Sequence, residues 1–150
     1  MSQKGFRLNW KGPQVLVQSE KQMCEIMGEF ALVAEGESKK ELSKGHGVVT
    51  GTLRRSIHAA SPDHDFSADN VESSTGSPER GNKKVLGKRV GDKIMVLLGS
   101  GMSYAMAIHQ GWNWQKNGLI GVFAGYHYLT NGLEKAKGKM DSIIARHQVK

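Results

Sequence analysis

The feature that most constrains this chain is a stretch from about Pro13 to Lys44 that reads as one continuous helix. Leu16, Met23, Ile26, Met27, Phe30 and Val33 recur at steps of three and four residues, which places them on one apolar stripe. Lys21, Glu25 and Glu29 fall off the stripe. Pro13 suits a first helical turn, and Gly45 and Gly47 stop the helix. Past Gly36 the segment GESKKELSK is polar and charged, so it is expected to be either a solvated last few turns or a frayed end.

The rest of the chain supplies short strands and a second helix. Phe6, Leu8 and Trp10 alternate with Arg7 and Asn9, the pattern of a strand with one buried face. Val48 to Thr52 reads as a turn and Leu53 to Ala60 as a strand. On such a strand Leu53 and Ile57 share a face, Ser56 opposes them, and Arg54 and Arg55 point to opposite sides. Val85 to Val90 and Lys93 to Leu98 form a hairpin around Gly91-Asp92, and the apolar run IMVLL makes its second arm a central strand. Ser100 to Ser103 is a turn with a capping residue, and Tyr104 to Gln110 a short helix. Trp112 to Gly125 mixes aromatics with Gly and is expected to be irregular. From about Tyr128 to His147, residues Leu129, Leu133, Ala136, Met140, Ile143 and His147 keep a seven-residue beat. Lys135, Lys137, Lys139 and Arg146 lie on the opposite face and towards the C-terminal end. The expected fold class is α+β: a small antiparallel sheet of about four strands packed by the long N-terminal helix and a C-terminal helix. Residues 1–150 form one domain by the usual size prior, with 61–82, rich in Ser, Asp, Glu, Gly and Pro, as a flexible hairpin-loop insertion.

Several chemistries find no support. The single Cys24 excludes an intramolecular disulfide and a Cys-rich zinc site. His46, His58, His64, His109, His127 and His147 include no pair at helical i, i+3 or i+4 spacing, and the triplet DHD around His64 reads as a solvated loop. There is no G-x-S-x-G; Ser56 lies beside His58, but no acid follows at a suggestive place. Gly99-Ser100-Gly101 has the context of an anion nest and lacks both the third Gly of a dinucleotide loop and the Lys of a P-loop. No enzyme activity, metal or cofactor is therefore expected. No apolar run approaches the roughly 20 residues that span a bilayer, and the N-terminus has no apolar signal-peptide core, so a soluble protein without membrane partners is expected.

Charge is more informative. The formal net charge is +7 and the pI about 9.6, which suggests anionic partners. Arg54, Arg55, Lys83, Lys84, Lys88 and Arg89, joined by Lys135, Lys137 and Lys139, could contact phosphates without reading bases. Trp10, Trp112 and Trp114 form a further group. Of the pair Trp112 and Trp114, one is expected in the core and one at a subunit contact.

In order along the chain, these segments resemble the neck and tail-completion (minor tail component, head–tail connector) proteins of long-tailed bacteriophages. That family carries T-G-x-L-R-x-S-I, then a strand ending in V-G, then Y-A-x-x-x-E/H-x-G, then an aromatic-Leu stretch opening the last helix. Matching residues are Thr50, Gly51, Leu53, Arg54, Ser56 and Ile57, then Gly99, Tyr104, Ala105, His109 and Gly111, then Tyr128, Leu129 and Leu133. The similarity covers nearly the whole chain apart from 61–82. The usual APVDTG reads HGVVTG here, and the normally Pro-rich stretch before the last helix reads NGLIGVFAGYHYL. The resemblance implies a virion protein, assembled in the host cytoplasm, that forms a homo-oligomeric ring at the neck. Six-fold symmetry is favoured and twelve-fold is the alternative. Its implied partners are further copies of itself, head-closure proteins, and tail-terminator or tail-tube proteins, with non-specific contact to genomic DNA in the channel. The other function considered is a basic nucleic-acid-binding accessory protein. Residues expected at subunit or partner contacts are Arg54, Arg55, His64, Asp65, Phe66, Arg80, Tyr104, His109, Trp112 and Trp114.

Overall fold

The computed structural model describes residues 12–43, 51–66 and 84–148, and of residues 12–17 and Trp114 the backbone alone. The strand expected at Phe6 to Trp10 and most of the 61–82 insertion lie outside the described residues. Within them the chain is α+β, with helices α1 (Gly12–Ser43), α2 (Thr52–Ser56), α3 (Ala105–Gln110), α4 (Tyr128–Lys137) and α5 (Met140–Gln148). The strands are β1 (His58–Ala60), β2 (Lys88–Val90), β3 (Lys93–Met95), β4 (Leu97–Gly99), β5 (Trp112–Lys116) and β6 (Leu119–Phe123). They form three separate antiparallel ladders, β1–β4, β2–β3 and β5–β6, rather than one four-stranded sheet.

Helix α1 is the spine. Phe30 and Ala34 on its stripe pack against Ala136 and Ile143, with Ile26, Met27, Val33, Leu133 and Met140 around them. The beat expected over 128–147 therefore does face inward, although a turn at Gly138 divides the helix in two, with Lys139 N–H donating to Ala136 O at 2.9 Å. A second cluster joins Ala31 to Ala59 and Val85. A third joins Leu42 to Ile57 and Tyr128. Leu98 touches all three clusters, so it is covered by helices and the β1 ladder together, while Met95 in the same apolar run of 94–98 is exposed. That run is not one central strand: Ile94 and Met95 pair with β2, Leu97 and Leu98 pair with β1, and the partner changes at Val96. Val85 to Gly87 lie outside β2, because Gly87 N–H donates to Cys24 O of α1 at 2.9 Å instead of entering a ladder.

The C-terminal part of α1 is neither frayed nor solvated. Glu35, Glu37, Ser38, Glu41 and Leu42 are all buried. Burying carboxylates is costly unless each is paired, and here each is. Glu35 accepts Lys39 Nζ at 2.6 Å and the Ala59 amide at 3.0 Å. Glu37 accepts Lys139 at 2.6 Å and Lys40 at 2.9 Å, and Glu41 accepts Lys135. Nearer the N-terminus, Glu29 takes Arg146 and, at 2.6 Å, His147. The basic residues expected on the outer face of the last helix thus include three that bridge back to α1.

Two consequences can be measured. Gly132 of α4 crosses α1 so closely that a Cβ there would overlap Ser38 Oγ and lie 2.7 Å from the Ser38 amide nitrogen. Gly132→Ala should therefore cost roughly 1–3 kcal/mol in urea denaturation, the usual range for overpacking; an unchanged midpoint would contradict this packing. The Glu37 carboxyl is lowered from 4.5 to about 2, first by the Lys139 hydrogen bond and then by that of Lys40. Its contribution to stability is complete above about pH 4.5 and is lost as pH falls through about 2. Glu37→Gln should lose less stability than the parent between about pH 6 and about pH 3.

Candidate functional site

Arg54 and Arg55 are not on a strand. Gly51 sits in the left-handed region at φ 68°, where an L side chain is disfavoured, and turns the chain into α2. Arg55 N–H then donates to Gly51 O at 3.0 Å, and residues 52–56 close into one short helix. Leu53 and Ile57 still meet in one cluster, now from a helix and its C-cap. The helix also swings both arginines towards the end of α1. Together with Lys39, Lys40 and Ser43 they line a cavity of about 270 Å³. Arg54 donates to Ser43 Oγ at 2.8 Å, and Ser43 Oγ donates to Lys39 O at 2.9 Å, which fixes the Arg54 guanidinium at the rim. The Arg55 Nε is buried and has no hydrogen-bond partner, a state that costs about 1–3 kcal/mol unless something outside the chain satisfies it.

The other cations grouped with these arginines in the sequence are matched. Lys84 pairs with Glu25, Lys88 with Asp63 at 2.7 Å and Arg89 with Glu20 at 3.3 Å. Lys135, Lys137 and Lys139 pair with Glu41, Glu134 and Glu37. Lys83 lies outside the described residues. The broad basic face expected from sequence therefore contracts, among the described residues, to the pocket at the α1–α2 junction.

His64 and Phe66 gather elsewhere, at the end of β1. Their rings meet each other and the buried His58 ring edge-to-face at 4.8–5.0 Å. His58 Nδ1 lies 3.2 Å from the Ser56 carbonyl, so it carries the proton, and its Nε2 faces His64 Nε2 at 3.2 Å. The Ser56 hydroxyl instead donates to Leu53 O, with Ser100 Oγ 2.5 Å away. Ser56 and His58 are thus not placed as a nucleophile and its base. Asp65 is exposed beside this cluster, and Arg80 lies outside the described residues. Among the described residues no three His, Cys, Asp or Glu side chains are grouped to hold a metal ion, and no helix is long and apolar enough to cross a membrane.

The remaining candidates lie along α3 and β5. Residues 112–123 form a regular hairpin, not an irregular segment. Its turn, Asn117-Gly118, has φ 53° and 78°, the two left-handed residues of a type I′ hairpin turn. The Asn-Gly dipeptide was the sequence signal for it. Trp112 is 45% exposed and leans on Phe123 at 4.6 Å, while Trp114 stands opposite Gly121. Beyond them Leu119, Ile120 and Val122 are 68%, 75% and 72% exposed. Tyr104 is exposed just before α3. His109, by contrast, turns inward to serve α4. Its Nδ1 accepts the Leu129 amide at 3.4 Å, and Thr130 Oγ1 lies 3.5 Å from its Nε2.

His109 is an internal cap, which makes it titratable in a predictable sense. Burial first, and then His127, hold its imidazole below the usual 6.5. The neutral ring is the form that can accept from Leu129, so its contribution is complete above about pH 6.5 and is lost as pH falls through the lowered value. His109→Asn keeps an acceptor near Nδ1 and cannot titrate. It should show a smaller drop in melting temperature between about pH 7.5 and about pH 5 than the parent; equal drops would remove His109 as the cause.

No protein family, curated protein or solved structure matches this chain.

Proposed function

We propose that the chain is the subunit of a homo-oligomeric ring at the neck of a long-tailed phage, joining or completing the tail at the head–tail interface. The observation that carries this reading is the β5–β6 arm. Among the described residues this ladder pairs with no other strand. An isolated two-stranded hairpin is marginal in water, and this one also exposes Leu119, Ile120 and Val122. Apolar surface held out in this way marks an association site.

A closed ring repeats one head-to-tail contact between two different surfaces of the same chain. A second, separate surface is available. In the β2–β3 register Lys88 opposes Met95 and Val90 opposes Lys93. Val90 and Met95 therefore share one face, and both are exposed. The arm of one subunit seats on this face of the next. The family resemblance carried by TGTLRRSI and SYAMAIHQGW supplies the place in the virion.

Native mass spectrometry of the full chain should give a closed oligomer, six-fold favoured. Ile120→Asp with Val122→Asp should reduce it to monomer, and so should Val90→Asp with Met95→Asp. Mixing the two monomeric variants should yield a dimer, since each retains the surface the other lacks. A parent protein that is monomeric at all concentrations and binds no tail or head-closure protein would sink the proposal.

A further inference from the structure

We infer that the pocket at the α1–α2 junction is a phosphate-binding site, occupied by backbone phosphates of nucleic acid. Two arginines reach it from consecutive positions of α2, roughly 100° apart around the helix. Among the described residues neither has a carboxylate partner, whereas Lys39 and Lys40 beside them are held by Glu35 and Glu37. Arg54 and Arg55 are therefore the cations of the pocket without a carboxylate partner among the described residues. Arg54 is oriented by Ser43, and the buried Nε of Arg55 has no hydrogen-bond partner among the described residues. An anion that enters the cavity meets both guanidinium groups, which line it together.

The donor set favours phosphate over carboxylate. A carboxylate offers two oxygens in one plane, which suits a single guanidinium fork. Here two guanidinium groups line one cavity, and a tetrahedral anion has oxygens for both. The cavity, about 270 Å³ and open to solvent beside an exposed Arg54, admits a phosphate still attached to a chain. Nothing in the pocket is arranged to read a base, so recognition is of the backbone alone. Among the described residues Lys93 and Lys116 also lack carboxylates, but each stands singly on a separate hairpin and neither lines the pocket.

The test is binding of the full chain to a labelled DNA duplex across a salt series, with Arg54→Gln/Arg55→Gln compared against Lys93→Gln/Lys116→Gln, which removes the same charge. The arginine variant should lose about tenfold or more in affinity and flatten the salt slope by about two, while the lysine variant changes much less. Arg54→Lys/Arg55→Lys keeps the charge and guards against misfolding; it should retain most of the salt slope and bind more weakly, because the fork is gone. Inorganic phosphate gives a second arm: it should raise the melting temperature of the parent and not of the Gln variant. Phosphate stabilisation that needs the arginines, with DNA affinity independent of them, would assign the same site to free phosphate. Equal losses in the arginine and lysine variants, or no effect of DNA or phosphate on the parent, would overturn the site. Ring formation is not required: a protein that stays monomeric, binds no tail or head-closure protein and shows arginine-dependent phosphate binding would remove the neck reading and leave this one intact.

Discussion

The close crossing of α4 over α1 is the contact on which the other elements depend. It is possible because Gly132 offers no side chain where the Ser38 backbone passes. Once the two helices meet, Ala34 and Ala136 lie in the seam and Ile143 closes it. The same approach brings Lys135 and Lys139 within reach of Glu41 and Glu37. Small residues set the distance and opposite charges fix the register. The price of the arrangement is visible at Ser38, whose buried hydroxyl has no partner.

The apolar half of α1 was legible because periodicity is a local property, and Phe30 and Val33 could be placed on a face without knowing their partners. The polar half was not. Glu37 and Glu41 look solvated in a window of ten residues. Their counter-ions, Lys139 and Lys135, lie 102 and 94 positions away. A buried carboxylate is stable only through such partners, so no local signal distinguishes it from an exposed one. The same distance effect hid the role of the basic residues on the last two helices, three of which bind α1 instead of facing outward.

The short elements failed for a different reason. Leu53 to Ile57 fits a strand and a turn of helix about equally well, since residues four apart share a face in both. What decides it is the left-handed turn at Gly51, which delivers the chain in the right direction for a helix. The run IMVLL had the composition of a central strand, yet its burial comes from α1, α4 and the β1 ladder together, with Leu98 at their junction. The β5–β6 hairpin was legible in principle from Asn117-Gly118. Aromatic and Gly-rich composition masked an alternation that neither face of the arm displays, because both faces carry apolar residues.

That two-sided apolar character separates the arm from the rest of the chain. Elsewhere, each buried hydrophobic cluster includes a residue of α1, and most charges find partners within the fold. The arm and the Arg54–Arg55 pocket are two places where this internal matching stops. One leaves apolar area in water, and the other leaves a buried donor unanswered. Net charge alone would have spread an anion site over every basic segment. Pairing each cation with its carboxylate removes the segments around 84–89 and 135–139 and, apart from single exposed lysines such as Lys93 and Lys116, leaves two adjacent guanidinium groups. A positive total therefore says little about where an anion binds; what matters is which cations the fold has not already used.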